Sequence, residues 1–290
     1  MRKLWIVGAV AASLGLAACG ATATLDAAVA SIGSSADLQV HLTGSVTGPG
    51  SAEAQQVLGA LSVDLDYANP TGAPLAQSQG AANAEMIVNA GGAALLDVRE
   101  IDSNVYVMLN VTALSNIPDA TLSAAQASAL QLLVGGRWFE LPASLINSYV
   151  PKSDAATATA AKERALGTKV VDDLTTLISD TTYTTLSGGG FSQTGSLESV
   201  VKAVWPTIAA LDPGATMPDA VPGSYTISVT TSGTTATGGS ITITAPNGTS
   251  GTDSATVTTT VAHAAVAVVA PTGATIITPA LIKSLLSQAT

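Results

Sequence analysis

The chain has 290 residues, of which 47% are hydrophobic, only 3% are aromatic and 10% are charged, and its formal net charge is −10. A sizeable core built from aliphatic side chains can therefore form, in one large domain or two small ones. The negative charge argues against nucleic acid as a partner, because neutralising phosphates needs Lys and Arg, and against polybasic binding to anionic lipid headgroups.

The N-terminus is organised like a secretory signal. A basic start, Met1-Arg2-Lys3, precedes an uncharged apolar run from Leu4 to Leu16 and two alanines. This run is shorter than the about 20 apolar residues that span a bilayer. The residue that follows is Cys19, the only cysteine of the chain, so no disulfide is expected.

Residues 16–19 resemble the bacterial lipobox. The resemblance implies a signal peptide at residues 1–18, cleavage before Cys19, a diacylglycerol thioether on its sulfur and often an N-acyl (palmitate) chain. Because two or more acyl chains hold a protein firmly to a bilayer, we expect a lipid-anchored protein on the extracytoplasmic face of the cell membrane. In the alternative interpretation, Cys19 is an ordinary apolar residue of the signal.

After a tether at residues 19–33, apolar and polar residues alternate with a period of two, which predicts antiparallel strands with one face in water. The predicted strands are Asp37–Val46, Leu61–Tyr67, Asn83–Ala90, Ala94–Ile101, Val105–Val111 and Gly136–Leu141. Turns are predicted at Gly48-Pro49-Gly50, Gly91-Gly92 and Asp102-Ser103-Asn104. Helical spacing predicts helices at residues 123–134 and 143–149.

In the second half, residues 152–169 have the composition of a linker or exposed helix, and residues 170–178 that of an amphipathic helix. Ser196 is expected to cap a helix, and Thr278 to cap a last one. The predicted strands are Thr181–Leu186, Ser224–Thr230, Ser240–Thr244, Asp253–Ala262 and Ala265–Val269. Together these elements predict an α+β fold, with one curved antiparallel sheet and helices packed on its concave face. We expect a single domain at residues 34–290, with possible pseudo-halves at 34–151 and 170–290.

Three further segments, together with the lipobox, carry a resemblance to a known family. They are the run 97–107, the run 135–142 containing Gly-Gly-Arg-Trp-Phe-Glu-Leu-Pro, and the ending 263–271. Over roughly residues 34–288 the chain resembles the LppX/LprA/LprG group of actinobacterial lipoproteins. The resemblance implies a LolA-like half-barrel (one curved sheet with helices in its mouth) whose hydrophobic cavity holds acyl chains. It also implies carriage of lipids or lipoglycans across the envelope. The chain departs from the family in its low aromatic content and its Thr/Gly-rich second half.

Residues able to carry out chemistry are sparse. The two histidines, His41 and His263, are expected at the surface or at a strand end, and two histidines without a free cysteine make a poor metal site. The S-x-x-K match from Ser199 to Lys202 lacks its companion motifs. Asp64 and Asp66 alternate onto one strand face, which is expected to be ordinary surface. We therefore expect neither an enzyme nor a metal or cofactor site.

Two functional hypotheses follow. In the first, the chain binds a lipid or other apolar ligand in a cavity, for envelope lipid transport or chaperoning. In the second, it is a non-catalytic structural or interaction lipoprotein without a cavity. The residues predicted to line the cavity are apolar and lie on predicted strands or helix stripes. They are Leu38, Val40, Leu42, Leu61, Val63, Leu65, Val105, Val107, Leu109, Trp138, Trp205 and Ile208.

Overall fold

A computed structural model describes residues 23–78, 82–117, 135–145, 183–211, 216–247 and 251–281, together with positions 126, 128, 131, 169 and 214. The predicted signal peptide, the lipidation site Cys19, the helix at 170–178 and nearly all of the helix at 123–134 lie outside these residues. So do the predicted linker, apart from Lys169, and most of the short helix at 143–149.

The described residues form an α+β protein dominated by one large, mostly antiparallel sheet of twelve strands. The strands are β1 Asp37–Thr47, β2 Leu61–Ala68, β3 Asn83–Ala90, β4 Ala93–Ile101, β5 Asn104–Leu109, β6 Trp138–Leu141, β7 Thr184–Thr185, β8 Gly190–Ser196, β9 Ser224–Ser232, β10 Thr235–Asn247, β11 Gly251–Ala262 and β12 Thr275–Ile276. The helices are α1 Ala23–Ser34, α2 Ala52–Ala60 and α3 Leu197–Leu211, with 3₁₀ turns at Leu75–Gln77 and Val111–Asn116. The order in the sheet is β12-β6-β5-β4-β3-β2-β1-β11-β10-β9-β8-β7.

The chain divides into two compact units, each assembled from separate segments. Unit 1 comprises Met1–Ser34, Gly44–Gln55 and Ser153–Val261, and unit 2 comprises Ser35–Thr43, Gln56–Lys152 and Ala262–Thr290. The predicted pseudo-halves were contiguous, whereas these units interleave along the sequence.

Unit 2 is a meander of antiparallel strands. Its register is set by tight turns, of which the β4–β5 turn has positive φ at both Asp102 (49°) and Ser103 (70°). Positive φ at both central residues is the two-residue hairpin geometry that matches the twist of the flanking strands. Strand β12 adds to β6 as the parallel pair of the unit.

Unit 1 packs α3 and β8–β10 around an aromatic and aliphatic cluster. Its buried residues are Phe191, Tyr225, Ile227 and Val229, and Leu197 and Val200 of α3 lie against them. The Ser196 hydroxyl accepts a hydrogen bond from the Ser199 N–H at 3.1 Å, which confirms the predicted N-cap of α3. Helix α1 packs on β10, where the Ala236 N–H donates to the Ser31 hydroxyl at 3.1 Å.

The alternating strands of the first half are confirmed, as are β9, β10 and β11. Three helices or strands were missed by the sequence reasoning: α2, which is short and weakly amphipathic, β8, which follows glycines, and the two-residue β12. In β8 the glycines are required by close packing, since a Cβ at Gly195 would lie 2.5 Å from the Tyr225 ring.

The predicted strand at 265–269 is wrong. Residues 263–274 contain no regular secondary structure, and the segment from 262 to 274 is called the C-terminal strap below.

Candidate functional site

One face of unit 2 carries almost only apolar side chains, and we call it the apolar face. Directly paired residues of antiparallel strands project to the same side of a sheet. The register pairs Val40 with Leu65, Leu65 with Met86, Met86 with Val98, Val98 with Val107 and Val107 with Phe139. One cross-strand row therefore runs through six strands without a polar side chain.

Nine of the twelve predicted lining residues lie on this apolar face. They are Leu38, Val40, Leu42, Leu61, Val63, Leu65, Val105, Val107 and Leu109. Burial across the face is uneven. Leu38, Val40 and Leu65 are 2–7% exposed, whereas the other six are only half-buried. The outer part of the face therefore keeps apolar surface that the folded chain covers incompletely.

Trp138 lies on the opposite face. It pairs with Met108 at the edge of β6, and the Arg99 guanidinium lies 4.6 Å from its ring centroid, a cation–π contact. The register thus separates Trp138 from the nine residues of the apolar face. The sequence placed Trp138 on a strand. It did not show on which side of the sheet the side chain lies, because that depends on how β6 pairs with β5.

Trp205 and Ile208 belong to α3 in unit 1. Trp205 is half-buried and Ile208 is 37% exposed, while Thr207 between them is buried. They lie on the predicted amphipathic helix, and their role as lining residues stays a prediction.

The second face of unit 2 contains a buried charged cluster that sequence reasoning missed. Arg99 forms ion pairs with Glu85 at 2.8 Å and Asp97 at 3.1 Å. Glu85 is 8% exposed and Asp97 4%. Burial of charge is costly unless each charge is paired, and the bidentate guanidinium meets this need for both carboxylates. One signal for this cluster was available. The acids Asp66 on β2 and Glu85 on β3 are directly paired, and Glu85 is in turn paired with the base Arg99 on β4.

The cluster shifts the ionisation of its acids. Desolvation raises the pKa of Glu85 to about 7, with Arg99 opposing the shift and the Asp97 and Asp66 carboxylates adding to it. Desolvation likewise raises the pKa of Asp66, partly offset by a hydrogen bond from Gln39. The Asp64 side chain is 37% exposed, in keeping with the predicted surface position, whereas Asp66 is half-buried.

The C-terminal strap covers the part of this face that holds the charged cluster. The Asn83 side-chain amide donates to the Val268 carbonyl at 3.2 Å, and Arg99 Nη1 donates to the Val269 carbonyl at 3.1 Å. The Val268 side chain is 3% exposed and packs in a cluster with Ala68, Ile101 and Tyr106. The unit thus buries part of one face of its sheet with its own chain, while His41 and Asp64 on the same face stay exposed.

The predicted surface histidines are placed as expected. His41, with a side chain 45% exposed, pairs through Nδ1 with Asp64, whose second oxygen accepts from Asn89 at 2.6 Å. His263 Nδ1 pairs with the Ser35 hydroxyl.

The S-x-x-K match has a structural explanation. Lys202, 59% exposed, pairs with Glu198 one helical turn earlier, and the Ser199 hydroxyl donates to the Ser196 carbonyl. Within the described residues no group of three or more His, Cys, Asp or Glu side chains is placed to hold a metal ion. No helix in the described part of the chain is both long and apolar enough to cross a bilayer.

The apolar face also carries polar groups, at Tyr67 and at Glu100 in the same cross-strand row. The Tyr67 hydroxyl is buried and has no hydrogen-bond partner among the described residues. Its nearest paired neighbours are Leu38 on β1 and Ala84 on β3.

No protein-family model and no curated protein matches the chain. The lipoprotein family named above therefore remains a resemblance, and the functional argument depends on the geometry of unit 2.

Proposed function

We propose that this chain is a membrane-anchored surface lipoprotein that binds a lipid or other apolar ligand. In this proposal Cys19 carries the anchor on the extracytoplasmic side of the membrane. The chain forms a LolA-like half-barrel of the LppX/LprA/LprG type, with helices packed on the concave face of its sheet, and the ligand lies in its hydrophobic cavity. The protein would transport or chaperone envelope lipids rather than transform them.

The observation that carries the proposal is the incompletely covered apolar face of unit 2. Six of the nine predicted lining residues on that face are half-buried, while the C-terminal strap covers part of the opposite face. Apolar surface left exposed costs roughly 25 cal/mol per Å². An acyl chain lying along this face would remove that cost, and its own transfer from water would add to the affinity.

The alternative is a non-catalytic structural or interaction lipoprotein whose apolar face is filled from within the chain. Native mass spectrometry separates the two. The protein with Cys19→Ser, purified without detergent, would carry a non-covalent mass of an acyl lipid if the proposal holds.

A matched pair of variants localises the ligand. Val107→Asp places a charge on the apolar face and should abolish the added mass. Val257→Asp, at a β11 position 47% exposed in unit 1, should keep it. A clean unliganded mass for the parent protein would favour the structural alternative.

A further inference from the structure

Two buried polar atoms of the described part of unit 2 have no hydrogen-bond partner, the Tyr67 hydroxyl and the Asn83 side-chain oxygen, and of these Tyr67 lies on the apolar face. Tyr67 is 3% exposed, and its hydroxyl meets no acceptor in the described residues. Buried hydroxyls nearly always have a partner, and a partnerless one costs roughly 1–3 kcal/mol. A tyrosine at this position is therefore worse for the empty fold than a phenylalanine of the same shape.

The position of Tyr67 connects it to the proposed ligand site. It follows Leu65 by two residues on β2 and so projects from the apolar face. Binding sites for small molecules combine a mainly apolar lining with a few placed polar groups that fix orientation. Within the described apolar face, Tyr67 is the hydroxyl that could do so.

The chemistry of this face selects the ligand group. Burial raises the pKa of Tyr67 above its ordinary value, so the hydroxyl stays protonated and can donate. The described residues of the apolar face include no Lys or Arg. Among them a free carboxylate or phosphate would find no positive partner. A neutral carbonyl oxygen avoids that cost.

We infer that Tyr67 is the polar anchor of the apolar face, and that it donates a hydrogen bond to an ester carbonyl of an acyl-chain lipid. The inference rests on the proposed function, which it narrows to neutral acyl esters. Removal of the hydroxyl would weaken ester ligands selectively and leave pure hydrocarbons unaffected, since only the ester carries the acceptor.

Two fluorescent polyenes test whether Tyr67 binds the ester carbonyl. The methyl ester of cis-parinaric acid carries the acceptor, and diphenylhexatriene is a hydrocarbon that lacks it. Each is titrated into the Cys19→Ser protein, freed of bound lipid on a hydrophobic resin. The same titrations are made with Tyr67→Phe and with the control Tyr106→Phe, a tyrosine on the opposite face.

We expect Tyr67→Phe to bind the ester about five- to tenfold more weakly than the parent does, which is the loss in affinity expected for one hydrogen bond. Its affinity for diphenylhexatriene should be unchanged, and Tyr106→Phe should bind both probes as the parent does. Equal affinities of Tyr67→Phe and the parent for the ester would overturn the inference, and so would an equal loss for both probes. Failure of the parent protein to bind either probe would overturn the proposed function, and the inference with it.

Discussion

The buried carboxyl of Glu85 makes the stability of unit 2 depend on pH in a defined direction. Its pKa is about 7 in the folded protein, against 4.5 for a free glutamate. A carboxyl that holds its proton more tightly when folded stabilises the fold most at low pH. The free energy of unfolding should therefore fall as the pH rises from 4.5 through 7.

The size of the effect follows from the same two values. A difference of 2.5 in pKa corresponds to roughly 3 kcal/mol, at 1.36 kcal/mol for each pKa unit. Protein interiors respond to a charge with an effective dielectric constant nearer 20 than 4, and Arg99 remains beside the carboxylate. We therefore expect the free energy of unfolding to fall by about 1 to 2 kcal/mol between pH 5 and pH 8.

The assay is urea unfolding of the Cys19→Ser protein at several pH values in this window. Glu85→Gln keeps the shape of the side chain and an oxygen acceptor for Arg99, but it cannot titrate. Its free energy of unfolding should change with pH by about 1 to 2 kcal/mol less than that of the parent. Glu53→Gln, at an exposed position in the first turn of α2, is the control and should leave the parent profile unchanged. Parallel profiles for the parent and Glu85→Gln would refute the account of the buried cluster.

Three further results are expected. Val107→Asp should lower the melting temperature and abolish acyl-lipid binding, because it puts a charge on a half-buried apolar position. Unchanged stability and an unchanged amount of bound lipid would show that this face binds nothing. Val268→Ala should reduce the free energy of unfolding by about 1–3 kcal/mol in denaturant titrations, whereas its neighbour Val269→Ala, 59% exposed, should cost almost nothing. Equal effects of the two valine variants would mean that the strap is not packed as described. Tyr67→Phe should raise the stability of the unliganded protein, since it removes a buried hydroxyl without a partner, and a lower melting temperature would count against that reading.

The sequence predicted most of the sheet because the relevant information is local. Strands such as β2 and β3 alternate with a period of two, and short turns join β3 to β4 and β4 to β5. Once the strands are paired in register, the nine apolar residues share one face. The same local rule failed for β8, where packing against Tyr225 rather than alternation explains Gly195.

The rest of the site depends on contacts between residues far apart in the sequence. The strap meets Asn83 and Arg99 across separations of 185 and 170 residues, and it offers them backbone carbonyls, which every residue carries. Its apolar alternation predicted a strand, but side chains rather than a neighbouring strand bind its backbone. Without the strap, the acids at Asp66 and Glu85 look like solvated surface, and the row that they form with Arg99 becomes evident only once the strands are paired.

The central claim, that acyl chains bind on the apolar face of unit 2, can be tested by photolabelling. The Cys19→Ser protein would be incubated with an acyl ester carrying a mid-chain diazirine, irradiated, digested and mapped by mass spectrometry. The account predicts labels on peptides containing Val63 of β2 and Val107 of β5, and their loss in the presence of excess unlabelled ester. Labels confined to the exposed Ile243 and Val257 of unit 1, or no competable label, would contradict it.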